Sequence, residues 1–124
     1  MVSNIFIGTD IVSVPRLSKT FNSLQGDKFK NRIFTDNEIN YCDDKADSIL
    51  HFAGRFAAKE AITKALLSSE IIELISMKSI EIISGKNRKP EVNLLFKSKK
   101  QIKCKVSISH TEEYATAFAL IELK

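Results

Sequence analysis

Three ionisable residues stand out for where they fall. Asp10 sits in Ile5-Phe6-Ile7-Gly8-Thr9-Asp10-Ile11-Val12, an apolar run over 5–12 that reads as a short buried strand. Aspartate is depleted in strands. Asp10 therefore either caps the next turn or is a carboxylate held on rigid backbone, where a metal would balance its charge. Glu60 and Lys64 lie four residues apart in the most helix-prone stretch of the chain, residues 52–67. That spacing makes either an i,i+4 salt bridge or a metal-binding carboxylate beside a phosphate-binding lysine. Magnesium takes one or two carboxylates and completes its shell with water and substrate phosphates. The second reading of Glu60 thus needs a carboxylate from elsewhere in the chain.

Ser109-His110-Thr111 ends an alternating run. Neighbouring strand residues point to opposite faces, so Ser109 and His110 do not form a nucleophile–base pair. There is no G-x-S-x-G elbow either. Polar donors at a strand end suit a phosphate, or they satisfy their own turn. Lys97, Lys99, Lys100, Lys103 and Lys105 form a basic run that a solvated strand–turn face explains. Nucleic-acid binding is the rival, without the interleaved aromatic residues that stack bases. No P-loop and no G-x-G-x-x-G is present.

The element that must position Glu60 and Lys64 is a helix beginning near Ser48 or Ile49 and running to residue 67. Ala53, Ala57, Ala61 and Ala65 form one ridge of it. Ala58, Ile62 and Leu66 widen the apolar sector, and Arg55, Lys59 and Thr63 lie opposite. Ahead of it, Val14, Leu17, Phe21 and Leu24 recur at helical spacing, with Pro15 in the first turn and a basic side formed by Arg16, Lys19, Lys28 and Lys30. Gly26 ends that segment. Thr35-Asp36-Asn37-Glu38 matches a capping box opening a short helix. Residues 43–47 form a polar connector. After the long helix, 79–83 and 91–96 read as a hairpin about the Gly85–Pro90 turn. Residues 103–110 and 114–123 are two further strands, the last one small enough to pack closely on the helix. The expected fold is one α+β domain over 1–124, with an antiparallel sheet packed against one long helix.

The composition is that of a globular domain: 44% hydrophobic and 27% charged residues in 124. A net charge of +4 and a pI near 9.1 favour acidic partners. Two cysteines, Cys42 and Cys104, form no C-x-x-C pair. Zinc is not expected, and a reducing cytoplasm suits the chain. The opening Met-Val-Ser-Asn-Ile-Phe-Ile has no basic leader, and no apolar run approaches a membrane span.

Gly8-Thr9-Asp10-Ile11-Val12, then Ala53-Gly54-Arg55-Phe56-Ala57-Ala58-Lys59-Glu60-Ala61 followed by Lys64, then Ser107-Ile108-Ser109-His110-Thr111 resemble holo-[acyl-carrier-protein] synthases. These are the small bacterial 4′-phosphopantetheinyl transferases. The order and spacing match along nearly the whole chain. The resemblance implies a cytoplasmic enzyme of fatty acid biosynthesis. Such an enzyme moves 4′-phosphopantetheine from coenzyme A to a serine of acyl carrier protein and releases adenosine 3′,5′-bisphosphate. It further implies magnesium and a homotrimer with active sites between subunits, and neither a nucleic-acid nor a membrane partner. Carried over, Asp10 and Glu60 hold magnesium, and Lys64 contacts the pyrophosphate. Arg55, Lys89, Pro90, His110 and Thr111 bind coenzyme A, with Arg55 and His110 near its 3′-phosphate. Arg16 pairs with the carrier protein.

Two departures from the family pattern bear on the pocket. Leu67-Ser68-Ser69-Glu70-Ile71-Ile72 lacks the glycines relatives carry after the long helix, so side chains block a backbone approach or the loop takes another path. Arg88 replaces a glycine before Lys89-Pro90, as an extra phosphate contact or a solvent-facing side chain. The departures leave a degenerate homologue without turnover as an alternative.

Overall fold

The computed structural model describes residues 4–124; the first three residues of the stretch read for a leader lie outside it. The elements run β1 (Ile5–Ser13), α1 (Val14–Phe21), α2 (Gly26–Ile33), α3 (Asp36–Asp43), α4 (Ser48–Ser68), β2 (Ile80–Ser84), β3 (Pro90–Leu94), β4 (Ile102–His110) and β5 (Tyr114–Leu123). The strands form two antiparallel sheets where one was expected. One is three-stranded in the order β1-β5-β4, and the other is the β2-β3 hairpin.

β1 is half-buried, not buried as its apolar run suggested. Gly8 and Val12 are buried, whereas Ile5, Ile7 and Ile11 are exposed. Its even-numbered residues face α4. Gly8 is there because nothing larger fits: a β-carbon at this position would come within 2.0 Å of the Ala61 carbonyl oxygen. On β5, which lies beside it, Ala115, Ala117 and Ala119 are buried. Small residues on both surfaces let sheet and helix approach closely.

α4 is enclosed on nearly every side. Arg55 and Lys59, expected on its polar side, are 7% and 0% exposed. Its far face meets α3 and β2, and a carboxylate fastens that contact. The capping box forms as the sequence predicts: Glu38 N–H donates to Thr35 Oγ1 and Thr35 N–H to Glu38 Oε1. Glu38 Oε1 also takes a hydrogen bond from Lys59 Nζ, and Oε2 one from Ile82 N–H at 2.7 Å. One buried carboxylate thus joins α3, α4 and β2. Glu81 beside it accepts from Thr35, Asn37 and Asn93.

α2 was not legible. Gly26 does not end α1, which stops at Phe21 with Asn22 as its C-cap; it opens the next helix, pressed so closely on α1 that a β-carbon would lie 2.0 Å from the Phe21 carbonyl oxygen. An eight-residue helix is too short to show a clear period. Its Phe29 joins Phe21, Phe34, Phe52 and Phe56 in a cluster of tilted and edge-on rings. Lys30, expected on a solvated basic side, instead lies over the rings of Phe21 and Phe52.

Removing one partner of a buried ion pair leaves the other uncompensated. Glu38→Ala is therefore expected to destabilise the fold by about 3–5 kcal/mol, read as a lowered urea midpoint at unchanged slope. A loss below about 1 kcal/mol would show that the carboxylate is not the joint between these elements.

Candidate active site

Asp10 follows Gly8 by two residues, so it shares the α4-facing side of β1. Gly8 seats that strand on Ala61, and Asp10 consequently arrives beside the α4 turn carrying Glu60 and Lys64. Of the two readings of Glu60 and Lys64, the i,i+4 salt bridge is not among the ion pairs of the described residues. Lys64 Nζ donates instead to Asp10 Oδ1 at 2.9 Å and to the Thr9 carbonyl at 3.0 Å. The Lys64 side chain is 55% exposed. An ion pair this open to water is worth about 0–1 kcal/mol, so Lys64 can exchange Asp10 for another anion at little cost.

Asp10 and Glu60 open into one cleft, floored by Leu17, Phe29 and Phe56 and rimmed by Arg16 and Thr20. Burial, and then the charge of Asp10, hold the Glu60 carboxyl above its ordinary value, with Lys64 opposing. Two carboxylates near one another on an apolar floor are a hard-oxygen donor set, which fits magnesium. Among the described residues no cluster of three or more His, Cys, Asp or Glu residues forms. A cation bound at this pair would therefore complete its shell with water or substrate oxygens.

A second cleft lies towards the start of α4, lined by Tyr41, His51, Arg55, Ser84, Arg88, Pro90 and His110 with Leu50, Gly54, Ile82 and Ile108. His110 reaches it because it shares β4's helix-facing parity with Ile108; Ser109 points the other way. Arg55 lies over the Tyr41 ring, 4.0 Å from its centroid, and donates to Ser84 Oγ at 3.3 Å. Its Nε is buried without a hydrogen-bond partner, and among the described residues it has no carboxylate partner. The ionisable residues lining this cleft are Tyr41, His51, Arg55, Arg88 and His110, with no carboxylate among them. The Ser84 hydrogen bond and Arg55's charge lower the Tyr41 pKa. Burial, then Arg55, Lys45 and His110, lower that of His51.

The structure brings Asp10, Glu60, Lys64 and Arg16 together, and separately Arg55, Pro90 and His110. Lys89 is exposed in the β2–β3 turn and does not line the cleft. Thr111 Oγ1 accepts from Glu113 and Tyr114 N–H and builds the β4–β5 turn. It lies with Ser109, Tyr114 and Thr116 beside His110, in a shallow outer pocket. His51, Tyr41 and Ser84 were not anticipated. His51 lies at i−4 from Arg55, a spacing that could have found it; Tyr41 and Ser84 come from α3 and β2, which no local pattern connects to Arg55. Both departures in glycine content fall on left-handed backbone. Glu70 has φ 63°, and Asn87 and Arg88 have φ 59° and 60°. These side chains hold a conformation that is unfavourable for L-residues by about 1–2 kcal/mol.

A carboxyl with a raised folded pKa adds stability below its unfolded value, ordinarily 4.5. That stability is lost as pH rises through the folded value. Without divalent cations, Glu60→Gln is thus expected to gain stability over the wild type as pH rises from about 4 to about 7, measured by urea unfolding. Equal stability differences at both pH values would count against the strained carboxylate.

A model of the 4′-phosphopantetheinyl transferase superfamily matches residues 6–119. The holo-[acyl-carrier-protein] synthase of Protochlamydia amoebophila is 42% identical over 120 residues, covering 92% of this chain and 94% of that protein. That of Chlamydia pneumoniae is 43% identical over 119 residues, covering 94% and 95%. The crystal structure of a holo-(acyl-carrier-protein) synthase from Bacillus anthracis in complex with CoA (3′,5′-ADP) superposes with a TM-score of 0.76 at 33% identity, covering 96% of each chain. These relatives give a nucleic-acid-binding reading no support. A match over residues 6–119, nearly the whole chain, shows that the chain belongs to the 4′-phosphopantetheinyl transferase superfamily.

Proposed function

We propose that the protein transfers 4′-phosphopantetheine from coenzyme A to a serine of apo acyl carrier protein, acting as a single domain over 1–124 in the cytoplasm. The observation that carries the reading is Arg55: a buried cation without a carboxylate partner, in a cleft whose ionisable lining includes no carboxylate. Such a group calls for an anion to complete it, and the bisphosphate end of coenzyme A is one. The other cleft lies on the same helix, with carboxylates at its base and Arg16 at its rim.

In the reaction, the serine oxygen forms a bond to the phosphorus next to pantetheine. The bond from that phosphorus to the bridging oxygen breaks, and adenosine 3′,5′-bisphosphate leaves with the electron pair. The serine proton goes to a base. Magnesium held by Asp10 and Glu60 would neutralise charge on the pyrophosphate. Lys64, freed from Asp10, sets its ammonium against the leaving phosphate. Arg55 and His110 bind the 3′-phosphate and Pro90 packs against the nucleotide, while Lys89 and Thr111, outside the cleft lining, would reach coenzyme A from the two neighbouring turns. Arg16 meets acidic side chains of the carrier, and the protein's net positive charge speeds that encounter.

A homotrimer accounts for two otherwise unexplained features. Arg55 and Glu60 are five residues apart, so they project about 140° apart round α4. One chain therefore turns its two clefts in different directions, and a substrate touching both is met by two chains. The outer face of the three-stranded sheet also leaves Ile7, Ile11, Tyr114 and Phe118 between 46% and 62% exposed, an apolar surface suited to burial between subunits.

Intact-mass spectrometry of apo acyl carrier protein with this protein, coenzyme A and Mg²⁺ is expected to show the gain of one phosphopantetheine. The gain should be abolished by EDTA and by Asp10→Ala. A folded protein that leaves a competent carrier unmodified would overturn the assignment. Phe118→Glu is expected to give monomers in sedimentation with transfer lowered at least a hundredfold, on the order of a lost positioning group. A fully active monomer would rule out a site shared between chains.

A further inference from the structure

We propose that Arg88 is a second guanidinium of the Arg55–His110 cleft, and that it reads the 3′-phosphate of coenzyme A. This inference rests on the reading of that cleft as the nucleotide end of the site. Arg88 lines the cleft from the β2–β3 turn, across from the α4 wall that carries Arg55. The turn is fixed at its base, where Ser84 pairs with Pro90 and Gly85 N–H donates to the Lys89 carbonyl at 2.8 Å. Arg88 therefore projects from a defined backbone position and not from a slack loop.

That position does not favour an arginine. Asn87 and Arg88 are successive left-handed residues, where glycine is the unstrained choice. The guanidinium gains nothing locally in return: among the described residues it makes neither an ion pair nor a side-chain hydrogen bond. Its gain must come from something that enters the cleft. A phosphate monoester carries close to two charges near neutral pH and three terminal oxygens. It can accept a forked pair of hydrogen bonds from one guanidinium and further bonds from a second. Coenzyme A carries such a monoester on its 3′ oxygen. Dephospho-coenzyme A keeps the pyrophosphate and the pantetheine arm and lacks only that group, so the two ligands isolate the contact.

The test is calorimetric binding of coenzyme A and dephospho-coenzyme A to wild type, Arg88→Gly and Arg88→Lys, each as the full chain. Glycine suits the left-handed backbone, so R88G is expected to melt no lower than wild type, which separates a binding loss from a folding loss. The expected result for R88G is a Kd for coenzyme A raised about tenfold, the scale of one charge-assisted hydrogen bond. The Kd for dephospho-coenzyme A should stay within about twofold, and R88K should fall in between. Equal weakening of both ligands would make Arg88 a general electrostatic attractor. No weakening would make it a solvent-facing side chain. Either result overturns the proposal, as does a wild type that binds the two ligands alike. Binding is read without turnover, so a protein that binds coenzyme A and transfers nothing would sink the transferase reading and leave the role of Arg88 decided.

Discussion

The contact between Gly8 and the α4 backbone at Ala61 is the constraint from which the carboxylate cleft follows. Strand and helix meet there with no side chain between them, because a single β-carbon would collide with a carbonyl oxygen that cannot move aside. The alanines of β5 and of α4 extend this close packing over the sheet. Asp10 is then brought to Glu60 and Lys64 by covalent geometry alone: two residues along the strand, same face, one turn along the helix. Rigid, tightly packed elements hold a site more closely than loops do. The two carboxylates are presented by a strand and a helix in direct backbone contact.

On its other side α4 buries charge, and it does so in two contrasting ways. Lys59 is wholly enclosed and matched by Glu38, whose remaining oxygen capacity is taken up by Thr35 and Ile82 backbone groups. Arg55, one turn earlier, is almost as deeply buried but is held only by the Tyr41 ring and Ser84, with Nε unpartnered. A buried polar network is stable when each member is satisfied. The first cluster is complete within the chain and serves the fold. The second leaves Arg55 Nε without a partner among the described residues, in a cleft whose ionisable lining includes no carboxylate.

Two further features bear on the proposed association of chains. Arg55 and Glu60, which line different clefts, project about 140° apart round α4, and the sheet exposes an apolar face. Both features are accounted for together if chains associate through that face.

Much of this was legible in the chain itself. The alanine ridge, the lack of proline and the helix-forming composition determined α4. The Thr35–Glu38 box determined the start of α3, and alternation determined β4 and β5. These signals are local, arising from capping, periodicity and propensity. The three motifs marked Asp10, Arg55, Glu60, Lys64 and His110 as the residues to watch. Tertiary structure decided what each charge meets. Lys64 turned to Asp10 and away from Glu60, because the strand packed on Gly8 put a second carboxylate within its reach. Arg55 and Lys59, polar by helical wheel, were buried by α3 upstream and by β2 more than 20 residues downstream. α2 was hidden because eight residues hold too little periodicity to announce a helix. Helical spacing names the residues that share a side of α4; only the packing of β1, α3 and β2 around it determines which of those sides become clefts, and which charges line them.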